Sequence, residues 1–322
     1  MRIKDKILLD SCLRRNDNAF PVLSYLRVLS YLRKQVSRSV FCLSLSVFLI
    51  TATCSFGFTP FINGGTRAMA MGGAFVSVAS GADAVFWNPA RIFSESKIEL
   101  AGNYSMLYSV DGLSNYSAAI AYNSGKPGSF GFGWNGLNLS EMFSENLIVL
   151  AYGRSVLLNL SIGAGVKALL VSAPGYEKYN DPKFEKRKTA ITGDVGVSYQ
   201  ASPEFILSAA VANIQSPEIS LISSTAEKDC LDRTIRIGAG YTIKRFLTLS
   251  FDTWTKDDFK SFDYDLGSEI SFFDAIALRS GFSQGRLGLG FGLFAKHWAV
   301  DFGFLSHRDL GNKYQFSLKL RY

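Results

Sequence analysis

The sequence predicts an all-β fold: a transmembrane antiparallel β-barrel of about 14 strands with an N-terminal plug that contains short helix. Three observations carry this. Aromatic residues make up 14% of the chain, 26 Phe among them, beside 29 Gly and a mean hydropathy of +0.13, a profile of alternating strands rather than packed helices. Segments of roughly ten residues with apolar side chains at every second position succeed one another from residue 97 onward. The connections between them alternate between tight turns and longer charged stretches, as expected where a barrel has one short-turn rim and one long-loop rim, and the eleventh, "SQG", breaks the trend.

The chain begins with a basic, non-periodic stretch. Residues 1 to 38 hold nine Lys/Arg and three Asp, which is +6 of the formal +7, so the rest of the chain is nearly neutral and nucleic acid is not an expected partner. An uncharged apolar run from Val40 to Gly57 comes next, ending in the small residues Ser55 and Gly57 that a signal peptidase reads. Residues 1–57 are therefore expected to be a leader with a signal peptide, its start assigned too early or its leader unusually long. A single transmembrane anchor is an alternative, since the run is near the ~17 to 20 residues that span a bilayer. A lipid-modified Cys54 is another. Cys12, Cys42 and Cys54 lie in the leader and leave Cys230 alone, so no internal disulfide is expected. His297 and His307 offer no cluster for a metal.

Residues 58–96 lack the long alternation of the later strands and are expected to form the plug. In "SGADAVFWNPA", Ser80 begins a short helix with Asp83 three residues on, the spacing of a capping box with a carboxylate at the positive helix end. Pro89 forces Asn88 to be extended and stops the helix. Glycines 64, 65, 72, 73 and 81 permit tight turns and close approach to a wall.

Residues 97–322 are expected to be the barrel, with strands starting near 97, 113, 128, 146, 159, 188, 204, 232, 246, 262, 275, 286, 297 and 313. The final strand shows the pattern best. Tyr314, Phe316, Leu318, Leu320 and Tyr322 share one face, and Lys313, Gln315, Ser317, Lys319 and Arg321 share the other. Phe316→Lys on the lipid face is expected to be costly and Lys319→Gln on the lumen face cheap. Connections three, five and seven, "GLNLSEMFSEN", "SAPGYEKYNDPKFEKRK" and "QSPEISLISSTAEKDCLD", are expected to be the long outer loops. Lumen-facing Lys167, Arg236, Arg279, Lys319 and Arg321 balance Asp194, Asp252, Asp265, Glu269 and Asp301, which argues for internal pairing rather than an ion-selective pore. "MGGAF" has neither a dinucleotide fingerprint nor a P-loop lysine, and no nucleophile–base set stands out. No enzyme activity and no cofactor are expected.

The run Gly64 to Ile92, "GGTRAMAMGGAFVSVASGADAVFWNPARI", resembles the N-terminal region of the FadL-type outer-membrane long-chain fatty acid transporters, and more closely the PorV-like branch with its spirochaete relatives. The resemblance implies a hatch that carries an Asn-Pro-Ala motif, matched by Asn88, Pro89 and Ala90, with Trp87 beside it as a hatch and ligand-gating residue. Asn88 is expected to hold the hatch by hydrogen bonds, and Trp87 either to contact an apolar ligand or to pack. The resemblance further implies an outer membrane of a diderm bacterium, partners in membrane lipid and a long-chain fatty acid or other apolar ligand, and a C-terminal strand ending at Tyr322 that the assembly machinery reads. Passive uptake of hydrophobic molecules is the implied function. The PorV-like branch implies the alternative, a docking or shuttle component for secreted or surface proteins. Cleavage after Gly57 would leave 265 of the 322 residues, with outer loops shorter than in a typical fatty-acid transporter.

Overall fold

The computed structural model describes residues 64–108, 110–222, 230–256, 259, 261–307 and 310–322. The expected leader, the lipidation site at Cys54 and residues 58–63 lie outside the described residues.

Two short helices, α1 (Thr66–Ala70) and α2 (Gly81–Trp87), and a 3-10 turn over Pro89–Arg91 precede fourteen strands. These are β1 (Ile98–Leu107), β2 (Leu113–Asn123), β3 (Ser129–Leu139), β4 (Phe143–Leu157), β5 (Leu160–Ser172), β6 (Arg187–Gln200) and β7 (Phe205–Ala212), then β8 (Thr234–Ile243), β9 (Leu247–Lys256), β10 (Asp263–Phe272), β11 (Ile276–Ser283), β12 (Arg286–Phe294), β13 (Trp298–Leu305) and β14 (Lys313–Arg321). Each strand pairs antiparallel with its sequence neighbours, and β14 pairs with β1, so the sheet closes into a barrel with no free edge. At that seam Ile98 and Tyr322 exchange backbone hydrogen bonds of 3.1 and 2.9 Å. Closure satisfies every ladder without water, the condition that hydrocarbon imposes.

Alternation decides which face each side chain takes. In β14, Phe316 and Leu318 turn outward and stay exposed, while Lys313, Gln315, Ser317 and Lys319 turn inward and are buried. In β1, Leu100, Tyr104 and Met106 point out, and Glu99, Ala101, Ser105 and Leu107 point in. The outer face is thus a band of exposed Leu, Val, Ile, Phe and Tyr, the surface that a bilayer would cover.

The rims are unequal. Connections 158–159, 201–204, 244–246, 273–275 and 295–297 are short, and 173–186 and 213–233 are the longest. Lys244 and Arg245, like Phe273 and Asp274, all have φ between 45° and 57°, the left-handed pair that a tight hairpin needs to match strand twist. The third connection departs from the sequence expectation. β3 and β4 continue through most of "GLNLSEMFSEN" and leave only 140–142 between them. The ladder persists because Leu137 still turns inward and is buried, and Leu139 lies opposite Phe143 with the alternation unbroken.

A candidate gate inside the barrel

Residues 64–93 pack on the inward faces of the strands. α1 is followed by Gly72 and Gly73, at φ 66° and 85°, which reverse the chain where a side chain would strain it. A Cβ on Gly72 would also strike the backbone at Phe282, 2.5 Å away, so the same glycine lets the segment touch the wall. Phe75, Met71, Val76, Val85 and Ile92 are at most 2% exposed. Burial of each such side chain contributes about 1.5–3 kcal/mol. The wall is cut to receive them: Gly133 faces Phe86, Gly240 faces Val78 and Gly267 faces Met71, where Cβ atoms would approach within 2.7–2.9 Å.

The start of α2 differs from the expected capping box. Ser80 is the N-cap residue with extended backbone, but its side chain makes no capping bond. The carboxylate of Glu99 on β1 accepts the Ala82 N–H instead, at 3.0 Å. Asp83 is drawn away to the wall by the ammonium of Lys319, with both side chains at most 9% exposed. A distant carboxylate thus replaces the local cap, because the barrel wall can reach the helix end and Asp83 has a stronger partner.

Charged groups strap the segment to one side of the barrel. Asp252 on β9 accepts the backbone N–H groups of Phe75 and Val76 at 2.8 and 2.9 Å. Arg67 on α1 forks onto Glu269 with two contacts of 2.8 Å. Burial opposes the Arg67 charge, but Glu269 beside it outweighs that and holds the guanidinium above its ordinary pKa. Arg236 bonds Asp265 at 2.5 Å and the Gly73 carbonyl at 3.2 Å. It also lies 5.3 Å and 5.2 Å from the ring centres of Trp87 and Trp254. Lys167 pairs with Asp194 at 2.6 Å, Arg279 with Glu269 and Asp301 at 2.5 and 2.6 Å, and Arg321 with Glu99 at 3.3 Å. All ten charges expected on the lumen face are paired, with each other, with the segment or, for Arg321, with Glu99 on β1. Lys319 is consequently not a cheap position: Lys319→Gln would strand Asp83, so the sequence expectation for it is corrected.

Trp87, Asn88, Pro89 and Ala90 come together as the corner after α2. Asn88 is fully buried and extended, with φ −155° and ψ 106°. Its Oδ1 accepts the Ala90 N–H at 3.0 Å, and its Nδ2 donates to the Val76 carbonyl at 3.1 Å. Both bonds stay within the segment. Trp87 donates from Nε1 to the Gly64 carbonyl at 2.8 Å and meets Phe75 edge-on at 5.5 Å. Pro89 and Ala90 rest on Gly153 and Gly163, and Asn88 on Gly196. Among the described residues no hydrogen bond or ion pair ties this corner to β4, β5 or β6. It is held there by shape. Residue reasoning missed Glu99, Asp83 and Arg67 as straps; the inward parity of Glu99 on β1 was the signal for the first.

The fold is similar to that of solved outer-membrane channels. Among solved structures the chain is similar to the CymD monoaromatic hydrocarbon channel, with a TM-score of 0.59 and 13% identity over 80% of this chain and 97% of that one. It is similar also to the Ralstonia pickettii toluene transporter TbuX, at 0.57 and 16% over 81% and 99%. A Pseudomonas aeruginosa FadL homologue matches at 0.54 and 12% over 80% and 97%. At these identities the likeness is one of fold. No family model and no curated protein matches the sequence.

Proposed function

We propose that the protein is an outer-membrane channel of a diderm bacterium for passive uptake of hydrophobic small molecules, long-chain fatty acids among them, with residues 64–96 as its hatch. The observation that carries this is the asymmetry of the segment's attachment: ionic straps on the β8–β14 and β1 side, and only glycine-to-backbone contact at Asn88-Pro89-Ala90 on β4–β6. Expelling the whole hatch would break five straps (to Asp252, Glu269, Lys319, Glu99 and Arg236), at about 1.5–3 kcal/mol for each charge-assisted contact. A ligand would need roughly 8–15 kcal/mol of differential affinity to drive that, whereas lifting the unstrapped corner costs only its packing. Opening is therefore local, along β4–β6, with the corner swinging on α2. Asn88 serves by keeping the corner folded as one unit, and Trp87 serves as its anchor between Phe75 and Arg236.

The test is fatty-acid uptake by a host lacking its own transporter, with the parent chain beside Asn88→Ala. Uptake by the parent that changes in an Asn88→Ala variant of normal assembly supports the reading. A correctly assembled parent that restores no uptake, and that instead co-purifies with secreted or surface proteins, would shift the conclusion to the docking role of the PorV-like branch.

A further inference from the structure

β6 runs further toward the long-loop rim than the strand that follows it. Its ladder with β7 ends with Val195 opposite Val211, while β6 itself extends to Arg187. Residues 213–222 run beside that overhang without joining the sheet. Asn213 turns out of β7 at φ 58°, and its N–H donates to the Asp194 carboxylate at 2.9 Å. The Ile214 N–H donates to the Gly193 carbonyl at 2.9 Å. The Gln215 side-chain oxygen then accepts the Gly193 N–H at 2.7 Å and the Thr192 hydroxyl at 2.9 Å. Ser216, at φ 44°, and Pro217, which has no N–H, interrupt the ladder. At the far end the Glu185 N–H donates to the Leu221 carbonyl at 2.8 Å, and Ile222 forms an antiparallel bridge with Phe184, so the segment also fastens to the 173–186 connection.

What the segment covers is apolar. Leu147 on β4 and Leu169 and Val171 on β5 turn inward and are at most 4% exposed. Ile219 and Leu221 pack against the buried cluster that contains all three, and Leu231, whose N–H donates to the Pro217 carbonyl at 2.9 Å, belongs to it. The corner at Pro89 and Ala90 rests on Gly163, and Leu169 lies roughly 20 Å further along β5 at ~3.3 Å per residue, too far for that corner to shield it. We propose that residues 213–222 are a hinged cover, an autoinhibitory contact in which Ile219, Leu221 and Leu231 occupy the β4–β5 wall in place of an apolar ligand and must lift before one reaches it. Asn213 is the hinge, because its bond to Asp194, which is itself paired with Lys167, fixes the base of the segment to the wall. The attachment beyond it is light. Residues 64–93 are strapped by buried ion pairs, whereas this segment is held by neutral amide and backbone bonds and by Lys188–Glu218, a partly exposed pair at 3.9 Å that contributes little. An apolar ligand that replaces three apolar side chains on the same wall exchanges like for like, so a small differential affinity shifts the cover.

The cover rests on the uptake reading and adds to it a step that precedes any movement of the corner. The experiment locks it. Residues directly opposite in an antiparallel pair have Cα atoms about 4.5–5.5 Å apart, a separation that a disulfide spans, so Phe184→Cys with Ile222→Cys, in a Cys230→Ser background, ties the segment down. Oxidised, this variant should take up palmitate at least about tenfold more slowly than the same variant after a reductant, which should match the parent. A second measurement needs no transport: Val171→Cys in the Cys230→Ser background, labelled from outside with a hydrophilic maleimide. Adding Gln215→Ala, which removes both bonds to Thr192 and Gly193, should speed that labelling by about tenfold. A cross-linked variant that takes up palmitate as fast as its reduced form, or labelling that Gln215→Ala leaves unchanged, overturns the cover and leaves uptake standing. A parent that assembles and takes up nothing removes the uptake reading, and the labelling then decides alone whether the segment opens.

Discussion

The buried contact between Lys319 and Asp83 is the strap most open to experiment. Lys319 lies on β14 and Asp83 on α2, and their side chains are 9% and 2% exposed, so solvent screens the pair little. Lys319→Met keeps the length of the side chain and removes its charge, which leaves the Asp83 carboxylate buried beside Glu99 and Asp301 without its direct ion-pair partner. Removing one partner of such a pair costs about 3–5 kcal/mol. Adding Asp83→Asn removes the stranded charge and leaves only an under-bonded amide, at about 1–3 kcal/mol, so the double variant should recover roughly 2 kcal/mol. The assay is reversible guanidinium unfolding in lipid vesicles followed by tryptophan fluorescence, together with chymotrypsin cleavage at Phe86 and Trp87. The single variant should lose stability and become cleavable, and the double variant should regain protection. A single variant within about 0.5 kcal/mol of the parent and still protected would refute the claim that ionic straps hold the segment, since a change so small is typical of a surface site.

Three further outcomes are expected. Phe316→Lys, on an exposed outward position, should cost about 2–4 kcal/mol at mid-bilayer in the same unfolding assay, and an effect near zero would place that face away from hydrocarbon. Gly163→Val puts a side chain where the Pro89 carbonyl and the Ala90 N–H now sit, so the barrel should still close while protease reaches residues 88–91. Asp252→Ala should cost about 1–3 kcal/mol for each of the Phe75 and Val76 N–H groups left without an acceptor, checked by hydrogen exchange at those two amides.

The strands were legible because lipid and lumen impose opposite demands on alternate residues. That parity is plain in β14, and every strand begins within three residues of its expected position. The third connection was misread because Ser, Asn and Glu look like loop residues, although Leu137, Leu139 and Phe143 kept the period of two and the ladder continued. The inner charges could be placed on the lumen face from parity alone. Their partners could not, because pairing across the lumen, as between Lys319 and Asp83, joins residues 236 positions apart. The Asn-Pro-Ala corner was visible from Pro89 and its effect on Asn88, and the structure gives Asn88 the predicted extended backbone. That its hydrogen bonds run back to Val76 and Ala90 rather than to the wall depends on the path of residues 72–80, which no local pattern reveals.

The pairing of β1 with β14 bears on how the molecule is made. Leu107 and Lys313 face each other across more than two hundred positions, and no shorter-range contact can stand in for theirs. Until β14 arrives, β1 offers a row of unanswered amides and carbonyls, and the segment inside the barrel lacks Lys319 for Asp83. Cylinder and contents are thus completed by the same late event. A polypeptide stalled before that point would carry an open seam and a loosely seated interior at once, two marks by which a cell could tell it from a finished one.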